Sequence, residues 1–575
     1  MNQQIKNYPS ASISTELSAL HPLLQQIYSA RGITSNEQLT KKLSSLLPYH
    51  QLQGITNATQ LLWKSLQQQQ HIMLIGDFDA DGATSVTLAV LALRAFSAKK
   101  VSYLVPNRFT YGYGLTPEIV AVAAKQQPDL IITVDNGIAS VEGVVAAKGY
   151  GIKVLITDHH LPGKILPDAD SIVNPNQHGD QFPSKNLAGV GVIFYVMLAL
   201  RSLLREKNWF AERQLAEPNM AQFLDLVALG TVADVVPLDQ NNRILVHQGL
   251  QRIRIGQCRP GIQALINIAK RQQHNLQASD LGFAVGPRLN AAGRLDDMSL
   301  GIECLLTDNL QKAKSLAQQL NTLNIERRDI ETNMCQQALA IINKLHLASD
   351  NMPMGLCLFD ESWHQGVIGI LASRIKEKYY RPVIAFAVAN DQELKGSARS
   401  IKGLHIRDIL DKLATRHPHL LSKFGGHAMA AGLSLPKKNY QQFRQVFADI
   451  VSEELHADQL QNILYSDGQL TIDNFKLPFS ELLSESGPWG QSFPTPLFDG
   501  VFDIIEQRLV GQQHLKLLLR YQETIIDAIA FYIDVEQWPN HHCQKIHIAY
   551  HLDINEFNNR RSIQLNIQYL QGITH

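Results

Sequence analysis

The chain has 575 residues, 45% of them hydrophobic and 18% charged, which is too long for one hydrophobic core and too apolar for a disordered or coiled-coil protein. Lys plus Arg equals Asp plus Glu, 52 against 52, so no whole-chain field draws a polyanion and any nucleic-acid surface is local. Five scattered cysteines without CxxC spacing exclude a disulfide framework and a zinc finger, and the lack of a ~20-residue apolar run or an N-terminal apolar segment points to a cytoplasmic protein with no membrane partner.

Residues 1–70 read as a helical lead-in, with a Gln67 to Gln70 run that carries no chemistry. From His71 onward, β-rich runs at residues 72–75, 101–105, 130–134 and 154–156 alternate with Ala-rich helical stretches at 83–96 and 139–147. That alternation predicts an α/β fold: a parallel sheet with helices on both faces, whose ligands bind beyond the carboxyl ends of the strands. Residues 187–269 turn helical. Over 309–345, Leu316, Leu320, Leu323, Ile330, Met334, Ala338, Ile341 and Ile342 recur at helical spacing, which predicts a long helix linking two lobes.

A second, smaller α/β pattern follows, with strands near residues 355–359, 383–388 and 394–398, ending at Gly425-Gly426-His427. Residues 366–427 hold eleven Lys and Arg against five Asp and Glu, a local surplus of positive charge. After a helical segment to about residue 455, short strands at 514–519, 525–531, 546–552 and 563–567 predict a small barrel or sandwich.

The sharpest motif is Gly76-Asp77-Phe78-Asp79-Ala80-Asp81-Gly82, directly after the first strand. Three carboxylates at alternate positions leaving a strand can converge on one side of the loop, and such crowding is unfavourable unless cations neutralise it. A calcium loop is the alternative, since DxDxDG opens one. Here the preceding segment is strand-like, and Leu88 stands where that loop requires Glu.

Later segments end in kind, with Thr133-Val134-Asp135-Asn136-Gly137, Thr157-Asp158-His159-His160 and Thr231-Val232-Ala233-Asp234. Alone, Asp135 or Asp234 is equally a helix cap or turn residue. Together, Asp77, Asp79, Asp81, Asp135, His159, His160 and Asp234 offer oxygen and nitrogen ligands that suit Mn²⁺ or Mg²⁺ better than a thiolate-seeking zinc site. Such a set suffices for two divalent ions about 3.5 to 4 Å apart, the arrangement that activates water and clamps a phosphoryl displacement.

The Asp158-His159-His160 triplet, with the Asp77/Asp79/Asp81, Asp135 and Asp234 motifs, resembles the DHH phosphoesterase superfamily. Four further runs resemble the bacterial single-strand-specific DNA exonucleases within it: Gly286-Pro287-Arg288-Leu289-Asn290-Ala291-Ala292-Gly293-Arg294, Trp363-His364-Gln365-Gly366-Val367, Gly396-Ser397-Ala398-Arg399-Ser400 and Gly425-Gly426-His427-Ala428-Met429-Ala430-Ala431-Gly432. The likeness runs from about residue 70 to the C-terminus, through Pro488-Trp489-Gly490 and Leu552-Asp553-Ile554-Asn555-Glu556-Phe557. One position departs. A His often stands four places before the middle Asp of the first motif, where this chain has Ile75, and Asp77 would replace it.

The resemblance implies a DHH catalytic domain over 71–308, a linker helix over 309–350, a DHHA1 substrate-binding domain over 351–458 and an OB-like DNA-binding domain over 459–575. It implies Asp77, Asp79, Asp81, Asp135, His159 and Asp234 as metal ligands and His160 as donor to a non-bridging phosphate oxygen. Asp158 either orients a neighbouring imidazole or simply shapes its turn. Arg108, Arg288, Ser397, Arg399 and His427 are implied as contacts to the DNA backbone and 5′ end.

The residues themselves support phosphate contact in the second lobe. Ser397 and Arg399 share a face if extended, and a guanidinium takes phosphate bidentately; otherwise Arg399 is an ordinary surface arginine. The Gly425-Gly426-His427 turn lets a strand approach the backbone; otherwise His427 is a cap or core histidine. Tyr113 either stacks on a base or packs within its turn.

The implied activity is metal-dependent 5′→3′ exonucleolytic hydrolysis of single-stranded DNA to 5′-mononucleotides in repair and recombination. A single-strand-binding protein and a helicase are the implied partners. One alternative is a phosphodiesterase for short oligoribonucleotides or cyclic dinucleotides, which needs no extended terminal groove. The other is a non-catalytic single-strand-binding scaffold, against which the full ligand set argues, because unpaired buried carboxylates are a liability without cations.

Overall fold

The computed structural model describes residues 3–10, 12–107, 111, 113–344, 352–557 and 560–573. Two compact units make up the chain: one is Asn7–Asn321 with Tyr465–His575, the other Thr322–Leu464 with Met1–Lys6.

The lead-in departs from the helical expectation. A strand at Gln4–Asn7 and short 3₁₀ turns surround one early helix, α1 (Pro22–Ala30), before α2 (Ile55–Gln67). Pro22 and Pro48 stop any helix that precedes them. Gly54, at φ +81°, runs so close to the sheet edge that a Cβ there would fall 2.0 Å from the Ile172 carbonyl oxygen.

Beyond the lead-in, β1 (His71–Gly76), α3 (Ala80–Ala95), β2 (Lys100–Leu104), α4 (Pro117–Ala124), β3 (Leu130–Val134), α5 (Val141–Gly149), β4 (Lys153–Thr157) and β5 (Ser171–Val173) build a wholly parallel sheet of order β2-β1-β3-β4-β5. Period-two alternation sorts its side chains. Met73, Ile75, Ile131, Val154 and Ile156 pack with Ile119, Val120 and Val144 of α4 and α5. The opposite face meets α3 and α6 (Gly189–Glu206). The chain leaves β1 for β2 on one side and returns to β3 on the other, so the crevice where strand order reverses opens at the carboxyl ends of β1 and β3. Helices α7 (Leu224–Ala233) and α8 (Gly286–Leu295) follow, and α9 (Leu310–Lys344) is the long helix expected of the linker.

The other unit carries β6 (Leu356–Phe359), α10 (Ile368–Tyr379), β7 (Val383–Val388), β8 (Glu393–Arg399), β9 (Lys423–Gly426), β10 (Ala430–Pro436) and α11 (Tyr440–Glu454). Its sheet runs β9-β10-β8-β7-β6, and only β6 and β7 are parallel. Hairpin connections from β7 to β8 and from β9 to β10 account for the antiparallel pairing. Leu394, Ala398, Phe386 and Leu433 face a core shared with Phe443 and Phe447 of α11.

The terminal strands β11 (Phe498–Val510), β12 (His514–Tyr521), β13 (Thr524–Ala530), β14 (Lys545–Phe557) and β15 (Arg560–Ile573) close a barrel of order β11-β12-β13-β15-β14, with β13 and β15 parallel. Closure leaves no free sheet edge, and five strands in this order make an OB-type barrel. Among the described residues no helix is long and apolar enough to cross a membrane.

Candidate metal centre

The acidic motif leads from β1 directly into a helix. Helix α3 begins at Ala80, Asp79 is its N-cap, and Asp79 Oδ1 accepts the Gly82 N–H at 2.9 Å. Asp81 therefore falls in the first turn and points into the protein. Its Oδ2 accepts the Gly189 N–H at 2.6 Å and its Oδ1 the Val190 N–H at 2.9 Å, both from the start of α6. Glycine is required there: a Cβ on Gly189 would sit 2.5 Å from Asp135 Cβ. On the far side, Asn290 Oδ1 of α8 accepts the Ala80 N–H at 2.7 Å, and Gly293 lies so close that a Cβ would meet the Phe78 carbonyl oxygen at 1.7 Å.

Asp135 leaves β3 with φ +63°, a region non-glycine residues seldom occupy and one that recurs at functional sites. Its Oδ1 lies 3.1 Å from His159 Nε2, which lies 3.5 Å from Asp234 Oδ2 at the end of α7. Asp158 is buried and accepts four hydrogen bonds: from the N–H of Ile138 at 2.9 Å, of His159 at 2.7 Å and of His160 at 3.1 Å, and from His160 Nδ1 at 2.7 Å. Asp158 thus steers His160 rather than His159. Asn176 and Asn174 hold the carbonyls of His159 and His160. The Tyr113 hydroxyl donates to the Asp135 carbonyl at 3.2 Å and reaches His160 Nδ1 at 3.3 Å, so this side chain walls the centre while its ring edge stays open.

All seven expected metal-centre residues converge. Asp77, Asp79 and Asp135 place ligand atoms within 4.8 Å of one another, as do Asp81, His159 and Asp234, and a third group of Asp135, His159 and His160 joins the two. Burial raises the Asp81 carboxyl to about 7, with Asp79 adding repulsion and the Gly189 and Val190 amides offsetting part of it. Burial, followed by neighbouring carboxylates, pushes Asp135 and Asp234 well above the ordinary carboxylate range. Burial would lower His160, but the Asp158 hydrogen bond and the charges of Asp158, Asp234 and Asp77 outweigh it and raise it to about 9. Among the described residues, Asp135 Oδ1 is buried and receives no hydrogen bond. Carboxylates crowded and desolvated in this way fit divalent cations, which would hold them ionised.

The remaining expected contacts are placed elsewhere. Arg108 lies outside the described residues. Arg288, on α8, donates to Asn321 Oδ1 at 3.0 Å and to the Ala284 carbonyl at 2.5 Å. In the second unit, Arg399 Nη1 donates to Ser397 Oγ at 3.0 Å, and both face Gly369 near the start of α10. The glycine run proves to be the end of β9, with His427 opening the hairpin and donating its N–H to the Ala430 carbonyl. Cross-strand pairs align Gly425, Gly432 and Ser397 in one row, and a Cβ on either glycine would meet nothing within 4 Å. That row is a flat pad of backbone beside a guanidinium. Asn290, Asn174, Asn176 and Gly189 escaped the sequence reading; only Asn290 stood within a motif that could have drawn attention to it.

Comparison with known proteins places these features. Residues 71–231 match the DHH family, N-terminal domain; residues 351–453 the DHHA1 domain; and residues 466–569 the RecJ OB domain. The chain is 55% identical over 570 residues to the single-stranded-DNA-specific exonuclease RecJ of Dickeya dadantii, covering 99% of each. It superposes on the crystal structure of RecJ in complex with Mn²⁺ from Thermus thermophilus with a TM-score of 0.81 and 28% identity, over 100% of this chain and 80% of that one. The Mg²⁺ complex from the same organism gives 0.75 and 26%, over 100% and 78%.

Proposed function

The chain belongs to the RecJ family of single-stranded-DNA-specific exonucleases, and from that premise we propose how its residues divide the work. It is a metal-dependent exonuclease of single-stranded DNA whose cofactor is Mn²⁺ or Mg²⁺. Asp77, Asp79, Asp81, Asp135, His159 and Asp234 hold two ions, and the observation that carries this is their convergence, with His160, in three overlapping ligand groups. Bound there, divalent ions supply Lewis-acid activation of water and neutralise charge gathering on the phosphate oxygens.

The chain's own groups do the rest. The Gly189 and Val190 amides fix both Asp81 oxygens, so that carboxylate needs no reorganisation as it takes its ligand role. Asp158 holds and aims His160, and its charge favours the protonated imidazole that would donate to a non-bridging phosphate oxygen. Arg399 and Ser397, with the open Gly425/Gly432 row and His427, receive the DNA backbone and its 5′ end; Arg288 and Arg108 are, by the family resemblance, further contacts to the DNA backbone. Cleavage proceeds 5′→3′ and releases 5′-mononucleotides, in repair and recombination. A cytoplasmic setting and partnership with a single-strand-binding protein and a helicase go with this role.

The experiment compares 5′- and 3′-labelled single strands, the matching blunt duplex and single-stranded RNA, in Mn²⁺ and in EDTA. Mononucleotide release from the 5′-labelled strand in Mn²⁺ alone, with duplex and RNA spared, is the expected result. Preferential digestion of short RNA would replace this reading with an oligoribonucleotide phosphodiesterase, and binding without cleavage would replace it with a scaffold.

A further inference from the structure

The segment ahead of α8 is a single π-turn, Leu281–Val285, a rare geometry that inserts an extra residue into a helical run and concentrates at functional sites. Leu281, Ala284 and Val285 are buried, whereas Phe283 is 86% exposed, more than any other large apolar side chain among the described residues. The turn is anchored on three sides and presents this one ring to solvent. A singly exposed apolar residue is ordinary by itself; what sets this ring apart is the π-turn that carries it, a geometry frequent at functional sites.

Gly282 and Gly286 bracket Phe283, and Cβ atoms on them would lie 3.2 Å from Val232 Cγ1 and 3.1 Å from Ala233 Cβ. The π-turn therefore rests on the two residues that precede Asp234. The helix it starts runs on to buttress the acidic motif through Asn290 and Gly293, so Phe283 stands at the outer end of the helical run that supports the metal centre. Two neighbours share the setting. Val235, directly after Asp234, is 62% exposed and is held at φ +60°, strained for a β-branched residue. Arg288 donates to the carbonyl of Ala284, the residue that follows Phe283.

We propose that Phe283 is a base-stacking position at the entrance to the metal centre, on which one unpaired base of the substrate lies while its phosphate is presented to the ions. Aromatic faces accept any base, which suits an exonuclease that must advance through every sequence. A base inside a duplex has both faces already stacked and cannot use such a ring. The proposal rests on the nuclease reading above and adds a residue to it.

The test uses the full-length protein with Phe283→Ala and Phe283→Trp, and single strands carrying one abasic residue at successive positions from the 5′ end. Because the ring is exposed, both variants should keep the parental melting temperature and Mn²⁺ affinity. Phe283→Ala is expected to raise KM about 10-fold, with Phe283→Trp near the parent. The parent should lose a similar factor at one abasic position near the cleaved end, and Phe283→Ala should lose nothing more there. A Phe283→Ala enzyme with parental KM and the parental abasic profile would overturn the stacking role, including the case in which the ring docks another protein, and leave the nuclease reading standing. Absence of any Mn²⁺-dependent cleavage by the parent would overturn both.

Discussion

Crowded carboxylates at the strand tips make the metal centre a proton-binding site whenever cations are removed. Asp81 has its carboxyl raised from 3.8 to about 7, so its contribution to metal-free stability is full below pH 3.8 and is lost as pH climbs towards about 7. Metal binding displaces that proton. The melting-temperature gain from Mn²⁺ should therefore grow between about pH 5 and pH 8; a gain that stays flat across that range would contradict the ligand role of Asp81. A second expectation concerns Asp158. Replacing it by Asn removes the charge that holds His160 at about 9, so the imidazole pKa should fall, visible by NMR, and turnover should drop about 10- to 100-fold with folding preserved. At this scale the sequence was legible where chemistry repeats: an apolar run followed by Asp or His marks a strand tip. It was silent where a partner lies far along the chain. Asn290 caps a helix 210 positions earlier, and nothing in Asp158-His159-His160 says which histidine the aspartate grips.

Among the elements, the parallel sheet followed directly from alternating β-rich and Ala-rich stretches. The second sheet did not, because strand direction depends on which segments pair and not on their composition; two hairpins turn most of it antiparallel. The lead-in differs for a local reason, since short 3₁₀ turns take up much of it and prolines interrupt any longer helix. The open glycine row on β9 and β10 yields a test that separates binding from folding. A Cβ added at Gly432 meets nothing within 4 Å and valine suits a strand, so Gly432→Val should leave the melting temperature unchanged. It should weaken affinity for single-stranded DNA by roughly 10-fold or more, since displaced backbone approach costs each phosphate contact. Unchanged affinity, measured by fluorescence anisotropy in EDTA, would remove this pad from the DNA path.

For the whole molecule, the unit bearing the metal centre closes on itself through its first and last segments. Arg31, just after α1, meets Asp467 in a doubly bonded pair at 2.7 and 3.0 Å whose side chains are 1% and 2% exposed, and its Nε donates to the Pro494 carbonyl. Removing one member strands a buried charge, so Asp467→Asn should destabilise this unit by about 3–5 kcal/mol, read as a lower urea midpoint in tryptophan fluorescence. A shift below about 1 kcal/mol would mean that water reaches the pair.

That closure also sets a schedule for synthesis. Asn7–Asn321 and Tyr465–His575 belong to one unit, yet Thr322–Leu464 is translated between them. At about 5–20 residues per second the ribosome spends roughly 7 to 30 s on the intervening stretch. Throughout that interval the catalytic sheet exists without the segments that later satisfy Tyr28, Leu238 and Gln277. The nascent chain is then an unfinished body that still lacks those partners. Its window of greatest exposure to aggregation and proteolysis therefore falls late in translation, and closes only as the barrel emerges.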